Sequence, residues 1–173
     1  MHFTNLVVLL TVINWELQET SCYVLLSRNK PTNQSSLYNV GRESSRANDG
    51  NYNQLPYKTV NGTIIYDCSH TTNDSLAYWL VNFEGDCLVS YIVIYNRNDA
   101  NSARIISATV SVISSNLNLT AIKTITSDNI IYNISYNTVG QFVRIEVANN
   151  FLTLCEVDVF GGNYKFYIKE IIL

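Results

Sequence analysis

The sequence predicts an all-β domain built as a β-sandwich. Short segments rich in Val, Ile, Thr and Tyr alternate with breaks of Asn, Ser, Asp and Gly along most of the chain, which is the pattern of many short antiparallel strands. With 173 residues, the chain is long enough for one domain with a substantial core and short for two. A net charge of −3 without any basic run argues against nucleic acid as a partner.

Alternation of apolar and polar residues places the individual strands. The run at residues 88–95 is apolar and β-branched, as expected of a buried strand. Trp79 is expected in the core, because it alternates inward with Val81 and Phe83. Residues 32–51 are expected to be loops and turns, and residues 52–66 a long connection. The predicted strands lie at residues 23–26, 78–83, 88–95, 105–113, 121–125, 130–134, 142–147 and 152–160.

The first 22 residues resemble a secretory signal peptide. Their apolar stretch, residues 6–13, is far shorter than the roughly 20 residues of a membrane-spanning helix. An uncleaved N-terminal strand stays open as an alternative, because no Lys or Arg precedes that stretch. Residues 23–163 are then the domain, and residues 164–173 a C-terminal extension of undecided structure. Five Asn-x-Ser/Thr sequons agree with secretion, at Asn33, Asn61, Asn73, Asn118 and Asn133.

Four cysteines, Cys22, Cys68, Cys87 and Cys155, allow three pairings if all remain in the mature chain. If cleavage follows Cys22, the number is odd. Cys87 is then expected to be a small buried apolar residue.

A candidate binding site surrounds the predicted strand at residues 88–95. His70 precedes it within Cys-Ser-His-Thr-Thr, while Arg97 and Arg104 follow it. One imidazole and two guanidiniums make a donor-rich site, and such a site suits a neutral, oxygen-rich ligand such as a sugar.

This spacing resembles the sugar-binding signature of the F-type lectins (fucolectins), a His followed by Arg-x-Asp and, after four intervening residues, by Arg. The resemblance runs from about residue 29 to residue 161. It implies a jelly-roll β-sandwich of the discoidin-like class that recognises terminal L-fucose. His70, Arg97 and Arg104 would hydrogen-bond the sugar, and Asp99 would fix the rotamer of an Arg. Tyr38 and Tyr66 are the candidates for an apolar wall beside the sugar's methyl group.

The resemblance also implies a disulfide, Cys68–Cys155, and a structural Ca²⁺. By composition alone, residues 45–51 are better explained as a solvated turn. Compared with the F-type lectins, these residues match a loop whose oxygen atoms bind Ca²⁺. The implied ligands are the backbone carbonyl of Arg46 and the side chains of Asp49, Asn51, Asp67 and Glu156.

Two other classes compete with a lectin. An enzyme would have to centre on His70, because the only other histidine is His2. Asp67 and Glu156 could form a glycosidase pair, but the cation site uses both. A sugar-blind adhesion module of the same fold stays open as the alternative. The expected protein is therefore a secreted lectin and not an enzyme, without a membrane span. Its partners would be fucosylated glycans, and weak single sites would be useful on a homo-oligomer.

Overall fold

The computed structural model describes residues 23–163. The predicted signal peptide and the C-terminal extension lie outside the described residues. Within them the chain forms ten β-strands and two short 3₁₀ helices. The helices are Ser44–Ala47 and Ser102–Ile105. The strands are β1 Val24–Leu25, β2 Thr32–Gln34, β3 Tyr57–Val60, β4 Thr63–Tyr66, β5 Ser69–His70, β6 Asp74–Asn96, β7 Thr109–Ile113, β8 Leu119–Thr124, β9 Ile131–Asn150 and β10 Thr153–Asn163.

Antiparallel pairing connects eight of these strands. The order is β1-β10-β6-β9-β7-β8, with β2 added to β6 and β5 added to β10. Strands β3 and β4 form a separate hairpin. In the described part of the chain, no helix is long and apolar enough to span a membrane. The predicted all-β sandwich is confirmed.

The two longest strands each belong to both layers of the sandwich. Strand β6 has 23 residues and β9 has 20, and they pair along almost their whole length with a break in register between Asn82 and Cys87. The first half of β6 also pairs with β2, and the second half with β10. The strands predicted at residues 78–83 and 88–95 are therefore two halves of one bent strand. The same holds for residues 130–134 and 142–147 in β9.

A single cluster of buried apolar side chains fills the space between the layers. Trp79, Val81 and Phe83 all lie in it, so the predicted inward face is confirmed. The indole Nε1 of Trp79 also donates to the carbonyl oxygen of Ser44 at 2.9 Å. That bond fastens the helix Ser44–Ala47 to the core.

Three segments differ from the secondary structure that the sequence predicts. Residues 105–113 were predicted as one strand, but Ile105 ends a 3₁₀ helix and β7 begins only at Thr109, after Ser107 at φ 70°. Residues 32–51 include β2 and the helix Ser44–Ala47. Residues 52–66 contain the β3–β4 hairpin, which turns at Asn61-Gly62 with φ of 50° and 78°. Asn-Gly is a strong hairpin signal, although residues 52–66 were predicted only as a long connection.

The predicted disulfide between Cys68 and Cys155 is confirmed. It joins the segment before β5 to strand β10, and both cysteines are fully buried. Cys87 is half-buried and has no partner among residues 23–163. Burial raises the pKa of its thiol. Cys22 lies outside the described residues.

Candidate functional site

His70 is held between strand β10 and a loop that precedes it in sequence. On one side, β5 pairs with β10 so that His70 is opposite Thr153. On the other side, the amide of His70 donates to the carbonyl of Arg42 at 3.1 Å, and the amide of Tyr38 donates to the carbonyl of His70 at 3.0 Å. The backbone of His70 is therefore fixed from two directions.

The imidazole of His70 is a hydrogen-bond acceptor at its free nitrogen. Its Nδ1 lies 2.6 Å from the carbonyl of Thr71, and because a carbonyl only accepts, Nδ1 carries the proton. The ring is only 5 % exposed. Burial, with the nearby charges of Arg42, Arg97 and Arg104, lowers the pKa of His70 to about 4. At neutral pH the ring is uncharged and Nε2 has a free lone pair.

Arg97 is fixed by Asp99, as the sequence predicted for one of the arginines. Its Nε and Nη2 each donate to Asp99 at 2.6 Å, and its Nη1 reaches Thr153 Oγ1 at 3.3 Å. Arg97 is 6 % exposed. The same bonds from Arg97 lower the pKa of Asp99. The guanidinium cannot rotate freely, so its remaining N–H groups have fixed directions.

Aromatic rings line the site next to His70. Tyr38 lies 4.6 Å from the imidazole, ring centre to ring centre, and is 47 % exposed. Phe151 meets both Tyr38 and His70 edge-on, and the guanidinium of Arg104 lies 4.7 Å above its ring. Phe151 was missed from the sequence. An aromatic residue in the connection between two predicted strands was the available signal.

Tyr66 and a second missed residue, Arg42, lie together. The guanidinium of Arg42 stacks 4.2 Å from the ring centre of Tyr66. Arg42 is 6 % exposed, and its Nε and Nη1 have no hydrogen-bond partner in the described chain. Tyr66 thus contacts the site through Arg42. We call the group of Tyr38, Arg42, His70, Arg97, Arg104 and Phe151 the His70 site.

The predicted cation ligands lie in a second cluster, which we call the Glu156 corner. Glu156 is fully buried, and both of its oxygens accept from the amide of Gly50 at 3.2 Å. Arg28 approaches it at 3.5 Å. Burial raises the pKa of Glu156 to about 7, against the lowering effects of Gly50 and Arg28, and the charges of Asp158 and Asp49 raise it further. Its negative charge is therefore incompletely compensated by protein groups.

The other predicted ligands have protein partners of their own. Asp49 accepts from the amide of Asn51 at 2.9 Å and lies 3.8 Å from Arg46. The carboxylate of Asp67 accepts from the side-chain amides of Asn51 and Asn53 at 2.8 and 2.6 Å, and Lys58 lies 3.4 Å away.

Side chains alone do not make a metal cage here. Within residues 23–163, no group of three or more His, Cys, Asp or Glu side chains is close enough to hold a metal ion. Burial is the main reason why the pKa of Glu156 is raised, and a hard cation bound beside its carboxylate would offset that cost. Backbone carbonyls such as that of Arg46 would have to supply the remaining ligands.

The chain is similar to one known domain family and to several solved structures. The family described as NedA-like, galactose-binding domain matches residues 46–145. No curated protein matches the sequence. A fucose-binding module from Streptococcus pneumoniae is 26% identical, with a TM-score of 0.70 over 80% of this chain and 95% of that one.

Two further solved structures are similar. The lectin domain of lectinolysin, complexed with Lewis B antigen, is 26% identical with a TM-score of 0.70, over 80% of this chain and 97% of that one. A fucolectin from striped bass (Morone saxatilis) serum shares the fold at 24% identity and a TM-score of 0.67. That match covers 80% of this chain and 49% of the bass protein.

Proposed function

The chain belongs to the NedA-like, galactose-binding domain family, and from that membership and the His70 site we propose that it is a lectin for terminal L-fucose. The resemblance to F-type lectins is confirmed by the family match and the similar structures. Their names also support the sugar, because two of those proteins are described as a fucose-binding module and a lectin domain with Lewis B antigen.

The observation that carries the proposal is an acceptor placed among donors. Neutral His70 offers a lone pair at Nε2, while Arg97 and Arg104 offer only N–H groups. A sugar hydroxyl is both donor and acceptor, so one hydroxyl can donate to His70 and accept from an arginine. A fully deprotonated anion such as sulfate does not match this pattern, since it has no O–H group to donate to the imidazole.

The aromatic rings support a deoxy sugar. Tyr38 and Phe151 form an apolar wall beside His70, and the methyl group of L-fucose would be buried against it. Apolar burial of one methyl group is worth about 0.8 kcal/mol. Replacing that methyl by a hydroxymethyl group would leave a hydroxyl facing the rings without a partner.

Calcium is part of the proposal as a structural ion. The backbone carbonyl of Arg46 and the side chains of Asp49, Asn51, Asp67 and Glu156 would hold it. Asn51 and Asp67 already lie together, joined by a hydrogen bond of 2.8 Å between their side chains. Bound there, the ion would supply positive charge to the buried carboxylate. It would not touch the sugar, because its proposed ligands are distinct from the residues of the His70 site.

The disulfide and the predicted signal peptide support secretion of this lectin, since disulfides persist in oxidising compartments. Single sites for a monosaccharide are weak, so assembly of several copies would raise the avidity for fucosylated glycoproteins.

The test is calorimetric titration of the oxidised full chain with L-fucose, L-galactose and D-glucose in millimolar CaCl₂. L-galactose differs from L-fucose only by a hydroxyl on C6. We expect binding of L-fucose, weaker binding of L-galactose and none of D-glucose. Arg104→Ala should weaken binding of L-fucose by about 2–4 kcal/mol. Arg144→Ala should not, because Arg144 stacks on Tyr78 and pairs with Glu146 away from the site.

Two results would reject the proposal. A folded protein that binds no sugar on a glycan array would be the sugar-blind adhesion module. Turnover of an aryl fucoside that is lost in Glu156→Gln would indicate an enzyme instead of a lectin.

A further inference from the structure

Arg42 differs from most other arginines of the domain in having no acidic partner. Residues 23–163 contain six arginines. Four have a carboxylate within 4 Å, namely Arg28, Arg46, Arg97 and Arg144. The two that have none, Arg42 and Arg104, both belong to the His70 site.

The burial of Arg42 makes the missing partner significant. A charged group taken out of water costs free energy unless an opposite charge and hydrogen bonds compensate it. The ring of Tyr66 gives partial compensation through its face. Two guanidinium nitrogens, Nε and Nη1, nevertheless have no hydrogen-bond partner in the described residues. The fold therefore keeps a positive charge and unused donors next to the site.

The backbone of Arg42 lies next to that of His70, and the positive charge of Arg42 acts on the imidazole, because it helps to lower the pKa of His70. The carbonyl of Arg42 accepts from the amide of His70 at 3.1 Å, so the two residues are neighbours across a backbone hydrogen bond. Among the charged groups of the site, Asp99 is the single carboxylate, and Arg97 already binds it. With His70 neutral, three guanidiniums and one carboxylate leave two uncompensated positive charges.

A neutral sugar does not use this excess. L-fucose needs the acceptor at His70 and donors from arginines, which Arg97 and Arg104 supply. We propose that the natural ligand is a fucosyl glycan carrying an oxyanion close to the fucose, and that Arg42 sets the preference for this anionic group. The proposal rests on the fucose-binding function and specifies its ligand class.

Two chemical groups could supply the oxyanion, and guanidinium N–H groups would bind both of them in the same way. A sulfate ester on the fucose and the carboxylate of a neighbouring sialic acid both present oxygens that accept from guanidinium N–H groups. In either case His70 would receive the fucose hydroxyl, and the positive side of the site would receive the oxyanion. An attraction of this kind weakens as salt is added.

The experiment measures a preference ratio on the oxidised full chain. In one arm, binding of a sulfated fucan oligosaccharide is compared with that of its desulfated form; in the other, sialyl Lewis x is compared with Lewis x. We expect the anionic member of at least one pair to bind about tenfold tighter at low salt, as one charge-assisted contact allows. The ratio should decrease when NaCl is raised.

Variants of Arg42 test whether this residue causes the preference for anionic glycans. Arg42→Gln should bring the ratio close to one, whereas Arg42→Lys should keep part of it, because the charge remains. Arg144→Gln is the matched control, an arginine that also stacks on a tyrosine but lies outside the site. It should leave the ratio unchanged. If the Arg42 variants do not fold, the salt dependence of the wild-type ratio still tests the proposal.

The possible outcomes distinguish this inference from the proposed fucose-binding function on which it rests. Ratios near one in both arms, together with binding of L-fucose, overturn the anionic ligand and leave the fucose lectin standing. Absence of binding to every fucosyl probe overturns both. A ratio that survives in Arg42→Gln removes the role of Arg42.

Discussion

The His70 site and the Glu156 corner share two segments of the chain, yet they differ in charge and exposure. Residues 67–70 carry Asp67 and Cys68 into the corner and His70 into the site. Strand β10 carries Thr153 to Arg97, and Cys155 and Glu156 to the corner. The corner is rich in buried carboxylates. The site is rich in guanidiniums and opens to solvent at Tyr38.

This difference indicates that the two regions have separate roles, one in stability and one in binding. The corner joins two distant segments through a disulfide and ion pairs, so its contribution is to stability. The site uses the positions that the corner fixes, and presents donors, an acceptor and aromatic rings to a ligand. Changes in the corner should therefore affect folding and binding together, and suitable changes in the site should affect binding alone.

The largest expected effect comes from removing the disulfide. The variant Cys68→Ala/Cys155→Ala should lose about 4 kcal/mol of unfolding free energy, because the bond closes a loop with a sequence separation of 87. Urea unfolding measures the loss. Binding of L-fucose should fall as well, since β5 would no longer be held near β10. Unchanged stability would mean that the corner does not hold these segments.

The two predicted sugar-binding arginines allow effects on binding to be separated from effects on stability. Arg104→Ala should cost about 2–4 kcal/mol of fucose affinity with little change in melting temperature, because Arg104 has no ion pair in the described chain. Arg97→Ala should lose similar affinity and also stability. It leaves Asp99 without its partner and Thr153 without a donor. Calorimetry and thermal melting separate the effects; equal melting temperatures would contradict the structural role of Arg97.

Calcium tests the corner without mutation. At a Ca²⁺ concentration 100-fold above its dissociation constant, the ion should stabilise the fold by about 2.7 kcal/mol. Melting in CaCl₂ and in EGTA measures the difference, with MgCl₂ as the control. Glu156→Gln should lose the response. A melting temperature that does not depend on Ca²⁺ would remove the ion from the corner.

The smallest effect is expected from pH at His70. The pKa of the folded state, about 4, lies below the ordinary value of 6.5. As the pH falls through 4, the ring gains a proton and loses its acceptor, so fucose affinity should fall about tenfold per pH unit. Titrations at pH 7, 5 and 3, with folding checked by circular dichroism, measure this. Constant affinity down to pH 3 would show that no acceptor is needed.

The lowered pKa of His70 also makes the folding stability depend on pH in a known direction. Because the folded pKa is lowered, the unfolded state binds more protons between about pH 6.5 and 4. This contribution is therefore present above pH 6.5 and is lost as the pH falls towards 4. In His70→Asn this part of the pH dependence should disappear.

The sequence alone predicted the fold class and four of the six residues of the His70 site. Alternation of apolar and polar residues reports which side chains face a core, so the sandwich and the inward face of Trp79 were predictable. His70, Arg97, Asp99 and Arg104 were predicted from their spacing, which resembles the F-type lectin signature. The Asn61-Gly62 hairpin was also encoded locally, although it was missed.

Only the tertiary structure decided the neighbours of His70. Arg42 lies far from His70 in sequence, and nothing in its local context distinguishes it from a surface arginine. It becomes part of the site because backbone hydrogen bonds fold residues 38–42 over β5, and because Tyr66 covers its guanidinium. Phe151 likewise joins the site through the placement of β10. Such contacts depend on how separate segments pack in space, whereas sequence patterns report only the structure within each segment.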